Sequence, residues 1–150
     1  MYELRSFRLS DAKNMSVQPM QVVDQRLFEC WSDAEWDRSR VEESPAMTGL
    51  RDDRIIFCCG VIPQWIGRAI VWALLADSVN RYEMLWIHRQ VQWILEAQIN
   101  NGYHRIEAHV HEPFAAAHRW ARMLHFESEG LMRKYDPEGR DMRLYARITW

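Results

Sequence analysis

Two unbroken apolar runs constrain this chain more than any other feature. Arg54 to Ile62 reads RIIFCCGVI and Arg68 to Ala76 reads RAIVWALLA. Both are rich in β-branched residues and neither alternates with polar ones, so both faces of each strand are expected to be covered. Pro63-Gln64-Trp65-Ile66-Gly67 separates them, and Arg51-Asp52-Asp53 marks a turn just before. The pattern predicts an antiparallel hairpin of two central, well-buried strands. A length of 150 residues fits one domain over residues 1–150, large enough to cover such a hairpin without a metal or disulfide.

The elements around the hairpin follow from periodicity. Tyr2 to Leu9 alternates and predicts a strand, after which Ser10-Asp11 offers a helix N-cap. Val22, Val23, Leu27, Phe28 and Trp31 form a helical stripe. Ser32-Asp33-Ala34-Glu35 is a capping box, predicting a second helix towards Glu43, and Pro45 ends it. From Arg81, Ile87, Val91, Ile94, Leu95 and Gln98 recur at helical spacing, with Gly102 as the stop. Arg105 to Val110 predicts a strand with Ile106, Ala108 and Val110 on one face and Glu107, His109 and His111 on the other. Pro113 sits at the first turn of a helix whose apolar face is Phe114, Ala117, Trp120, Ala121 and Leu124. Phe126 to Lys134 and Arg140 to Trp150 predict strands joined by Asp136-Pro137-Glu138-Gly139. The expected order is β-α-α-β-β-α-β-α-β-β, an α/β (α+β) domain with one central mixed, mostly antiparallel sheet flanked by helices.

Composition excludes several functions. A net charge of −2 gives no basis for non-specific nucleic-acid binding. The longest apolar stretch, Ala69 to Ala76, is too short to span a bilayer, and the N-terminus has no signal-peptide run. Cys30, Cys58 and Cys59 have no C-x-x-C spacing and are odd in number, so they read as small, reduced apolar residues of an intracellular protein. Eight Trp residues predict either a Trp-lined core or a partner surface, and Trp65, Ile66 and Trp36 are the candidates for exposure.

The order of elements resembles the GNAT (N-acetyltransferase) superfamily over nearly the whole chain. Tyr2 to Ala12 looks like the first strand and helix start of that family. Ala115-Ala116-Ala117-His118-Arg119-Trp120-Ala121-Arg122-Met123-Leu124-His125-Phe126-Glu127 resembles its late helix, which usually ends L-G-F-E. Tyr135 to Asp141 resembles its last hairpin. The resemblance is closest to degenerate GNAT-like proteins of tailed bacteriophages, including internal virion proteins of short-tailed phages, which keep the architecture while losing the motifs.

That resemblance implies acetyl-CoA, held by its pyrophosphate at a helix N-terminus where backbone N–H groups are unpaired. The family pattern is Arg/Gln-x-x-Gly-x-Gly/Ala, with glycines admitting the phosphates. Here the stretch is Arg81-Tyr82-Glu83-Met84-Leu85-Trp86: Arg81 is in place, Met84 and Trp86 fill the small positions, and Glu83 adds negative charge. With these, Leu74 and Ala76 at the end of the preceding strand are the implied cofactor-binding residues. Either the site survives in altered form, or Met84 and Trp86 plug the old groove.

The family's general base, a Glu on the strand corresponding to Arg68–Ala76, has no counterpart before Asp77, and Ala121 stands where a Tyr protonates the thiolate. His109 and His111 are the substitutes on the strand that borders the family's cofactor cleft, and Tyr135 is the third catalytic candidate. The plain alternatives are a solvated strand face and hairpin packing. The two histidines supply two metal ligands at most, with no third apparent. The first reading is therefore an acetyltransferase moving an acetyl group to a small-molecule or protein amine. The second is a catalytically silent, cytoplasmic or virion-borne phage protein that binds a host or virion partner, or a second copy of itself as a homodimer.

Overall fold

The computed structural model describes residues 1–33 and 45–149. Its elements are β1 (Tyr2–Ser6), α1 (Leu9–Asn14), α2 (Val22–Asp33), β2 (Ala46–Arg51), β3 (Arg54–Trp65), β4 (Arg68–Leu75), α3 (Arg81–Asn100), β5 (Arg105–His111), α4 (Ala115–Met123), β6 (Glu127–Met132) and β7 (Met142–Ile148). The strands form a seven-stranded sheet in the order β1-β2-β3-β4-β5-β7-β6, in which β4 and β5 run parallel. The expected α+β class with a mixed, mostly antiparallel sheet is what the chain adopts.

One strand is additional to the expected order. β2 has little β-propensity of its own, since Ala46, Gly49 and Met47 make a poor strand. It is fixed by its neighbours, pairing with β1 from Tyr2↔Arg51 to Ser6↔Met47 and with β3 from Ala46↔Gly60 to Arg51↔Arg54. Gly49 is required there: a Cβ would lie 2.1 Å from the Phe57 ring and 2.9 Å from that of Trp86.

The first helical region also differs. α1 opens after Arg8, whose N–H donates to Asp11 Oδ2 at 2.9 Å, so Asp11 closes the first turn from its third position rather than capping it. α1 ends at Asn14, and Val17 instead makes a β-bridge to Ala76. Pro19 opens a 3-10 turn that leads into α2. Ser32 and Asp33 are the last residues of α2 rather than the start of another helix. The rest of that expected helix, with Trp36, lies outside the described residues.

The central hairpin is longer than expected. β3 continues through Pro63 to Trp65, leaving a two-residue turn of Ile66 and Gly67. Gly67 has φ +86°, and its carbonyl accepts from the N–H groups of His104 and Arg105. β3 is buried from Ile56 to Gly60 and at Val61, whereas β4 is largely half-buried. α3 follows its predicted stripe, with Ile87, Val91, Ile94 and Leu95 buried. α4 starts two residues after Pro113 and buries Ala121 and, just beyond its end, Leu124.

The chain divides into two compact units, Met1–Ile62 with Trp72–Ile94, and Pro63–Val71 with Leu95–Trp150. In the first, Phe7, Leu9, Ala12, Met15, Val17, Cys58, Leu74 and Ala76 form a continuous apolar cluster. In the second, Ile106, Val110, Phe126, Met142, Tyr145 and Ala146 are buried. Cys58 and Cys59 are free and buried, and desolvation pushes the Cys58 thiol up to about 12 and Cys59 upwards too. Both are therefore inert thiols.

Candidate functional site

The start of α3 is the expected anion site, and the N–H groups of Tyr82, Glu83 and Met84 are already used. Asn80 precedes the helix, and its Oδ1 accepts the N–H groups of Tyr82 at 3.0 Å and Glu83 at 2.9 Å. Its carbonyl accepts from Met84 N–H at 2.8 Å. Leu85 and Trp86 already lie inside the helix. Glu83 returns to Asn80, its two carboxylate oxygens 3.4 Å from the backbone N and 3.3 Å from the side-chain amide. Asn80-x-x-Glu83 is thus a capping box, a signal present in the sequence and overlooked there.

Glu83 is almost fully buried and is held by Arg54 at 2.6 Å, with Arg51 at 3.7 Å. It is a structural ion-pair partner rather than a charge facing an anion site. Arg81 is exposed and turned along its own helix, bonding the Tyr82 hydroxyl at 2.9 Å with its guanidinium 4.9 Å from that ring. Tyr82 and Leu85 are exposed. Trp86 stacks on Tyr2 at 4.6 Å and meets Phe57 edge-on at 5.9 Å, so it packs into the sheet rather than plugging a groove. A pyrophosphate needs unpaired N–H groups here, and those of Tyr82, Glu83 and Met84 are all satisfied. The residues do not fit acetyl-CoA in the family's manner.

The end of β4 is closed as well. The Ala76 N–H bonds Ile56 on β3, so by the strand period the groups of Ala73 and Leu75 face away from β3. The β4–β5 ladder covers only Arg68–Ile70 with Arg105–Glu107. Beyond it, the Gln21 carboxamide donates to the Ala73 carbonyl at 2.8 Å and accepts from Leu75 N–H at 2.8 Å. Gln18 N–H then bonds the Leu75 carbonyl at 3.0 Å. Leu74 and Ala76, expected to line a cofactor, are buried in the apolar cluster instead.

The histidine strand holds a different arrangement. Glu107 on β5 is buried and takes hydrogen bonds from Arg68 Nε and, at 2.9 Å, Arg68 Nη2, and from Arg105 Nε at 2.8 Å. Arg105 continues to Glu129 at 2.5 and 3.0 Å. The Arg68 hydrogen bonds, opposed by desolvation and helped by Arg105, hold the Glu107 carboxyl down at about 2. His109 Nε2 lies 4.0 Å from Glu107 Oε1, and its ring meets Tyr135 edge-on with centroids 5.0 Å apart. Burial pushes the imidazole below its ordinary range, more than Glu107 draws it up. Burial also raises the Tyr135 phenol. The structure thus brings His109 and Tyr135 together, while His111 at the end of β5 has a buried Nδ1 with no hydrogen-bond partner among the described residues. Glu107 shares the alternating face of the two histidines, and that alternation was the signal for it.

Trp65 and Ile66 at the hairpin tip are exposed, and the Arg68 guanidinium lies 4.3 Å over the Trp65 ring. Among the described residues no three His, Cys, Asp or Glu side chains gather as a metal site, and no helix is long and apolar enough to cross a membrane.

No family model matches the chain, and no curated protein matches it by sequence. Solved structures do match. Ard1 from Thermoplasma volcanium superposes with a TM-score of 0.72 at 13% identity, over 99% of this chain and 98% of that one. The ribosomal-protein-S18-alanine N-acetyltransferase from Escherichia coli gives 0.70 at 14%, over 99% and 94%. A protein from Salmonella typhimurium, described as an acetyltransferase and solved with its cofactor acetyl-CoA, gives 0.65 at 10%, over 98% and 93%. The fold is that of the GNAT acetyltransferases.

Proposed function

We propose that this chain is a GNAT-fold protein that does not turn over acetyl-CoA and acts by binding a macromolecular partner. The proposal takes residues 1–150 as one domain of phage origin, meeting a host or virion protein in the host cytoplasm. The carrying observation is the capped start of α3, where Asn80 already accepts from the N–H groups of Tyr82, Glu83 and Met84. The Gln21 carboxamide on the β4 edge supports the same reading. A capped helix start and a filled strand edge cost nothing to a protein that has no cofactor to admit.

A second reading, an acetyl-CoA-dependent N-acetyltransferase, is favoured by one observation. His109 is a half-buried imidazole biased to its neutral form beside the Tyr135 ring, which suits a base for an amine proton. On that reading Arg81 to Trp86 with Leu74 and Ala76 would rearrange to admit the cofactor, and His109, His111 and Tyr135 would face the acceptor.

Calorimetric titration with acetyl-CoA and desulfo-CoA separates the two. The first reading expects no heat of binding up to millimolar ligand. Saturable binding at about micromolar concentration, weakened in Arg81→Ala, would overturn it and establish the second.

A further inference from the structure

A shallow depression of about 450 Å³ lies beside α4, lined among others by Glu112, Ala115, His118, Arg119, Arg122 and Arg143. Its charges do not cancel. Arg143 is committed to Glu112, with Nε and Nη2 on the two carboxylate oxygens at 3.0 and 2.8 Å. His118 Nε2 lies 2.8 Å from the Glu112 carbonyl, which only accepts, so that nitrogen carries the proton. Nδ1 lies 2.7 Å from the Tyr145 hydroxyl. The ring is therefore held at both nitrogens and forms a fixed wall.

Arg119 and Arg122 are what remains. They are exposed, three residues apart on α4 and hence on one face, and neither guanidinium has a hydrogen bond or ion pair among the described residues. A depression with two uncompensated guanidinium groups therefore sits on a chain whose net charge is −2.

We propose that this depression binds the phosphate group of a small polar phosphomonoester, clamped between Arg119 and Arg122. A dianion matches the two free charges, and its oxygens can meet two guanidinium forks at once. The volume falls in the small-molecule range of roughly 300–1,000 Å³, and only alanine and proline add apolar lining. Glu112 neutralises Arg143 and repels a second acidic group, which selects a monophosphate on an uncharged body. The proposal involves no residue of the α3 start and stands whether or not acetyl-CoA binds.

The test is an amide-shift titration of the full chain with ribose 5-phosphate, inorganic phosphate and ribose. Saturable shifts centred on Ala115–Arg122 are expected with ribose 5-phosphate, weaker ones with phosphate, and none with ribose. Arg119→Ala/Arg122→Ala should weaken binding by about tenfold or more, and Arg89→Ala, which removes an exposed arginine of α3, should not. Both arginines are exposed, so the double variant retains the fold, which its amide dispersion verifies. Failure to saturate at tens of millimolar, equal shifts with ribose, or equal losses in the Arg89 variant would each overturn the site.

Discussion

Glu83 and Glu107 are both buried carboxylates held by two arginines, yet they do different work. Glu83 lies at the start of α3 between Arg54 and Arg51, whose side chains are 45% and 37% exposed. It also folds back on Asn80, so its charge is spent on closing a helix end. Glu107 lies mid-strand between Arg68 and Arg105, only 21% and 26% exposed, and His109 and Tyr135 stand beside it. The same ion-pair chemistry seals one region and leaves polar, partly accessible groups in the other. What surrounds a buried acid, not the acid itself, decides whether it closes a helix end or stands among accessible polar groups.

The largest effect is expected at Glu107. Glu107→Ala takes the carboxylate from half-buried Arg68 and leaves Arg105 only Glu129, and should cost about 3 kcal/mol in urea unfolding. In the wild type this carboxyl is held at about 2 against an ordinary value of 4.5. Its folded value is depressed, so its stabilisation is complete above pH 4.5 and is lost as pH falls towards 2. The full linkage is at most roughly 3 kcal/mol. Unfolding curves at pH 6, 4, 3 and 2 should show this loss, and Glu107→Gln should flatten it. An unchanged acid profile in Glu107→Gln would place the acid sensitivity elsewhere.

Glu83→Ala comes next, at about 2–3 kcal/mol, because water can reach its half-exposed arginines while the helix also loses the reciprocal half of its capping box. A loss exceeding that of Glu107→Ala would reverse the ranking and make the helix start the better-buried pair. Gln21→Ala should cost about 1–2 kcal/mol by leaving Leu75 N–H and the Ala73 carbonyl unpaired. Native-state exchange of the Leu75 amide should then rise by about tenfold, and unchanged exchange would mean that another group covers this edge. Arg81→Ala is expected to leave the unfolding midpoint unmoved, since the Arg81 side chain is exposed and, among the described residues, its guanidinium bonds its neighbour Tyr82 alone. A clear shift would show that the sealed region depends on it.

The elements legible in the residues were those set by short-range pattern. The β3–β4 hairpin, the buried stripe of α3 and the Asp136–Gly139 turn, where Gly139 N–H meets the Asp136 carbonyl at 2.8 Å, follow from apolar period and turn chemistry within a few positions. The histidine face of β5 was equally readable from alternation. β2 was not, because Ala46–Arg51 has no pattern of its own and becomes a strand only between β1 and β3. Nor was the closure of the β4 edge, for Gln21 reaches Ala73 and Leu75 across 52 and 54 positions.

The residues by themselves thus determined which segments bury apolar surface and where the chain turns, since period and φ preference act locally. Only the tertiary structure decided which donors stay free. A backbone N–H or a carboxylate is available to a ligand only if no distant group satisfies it first, and that depends on which side chains folding carries to it.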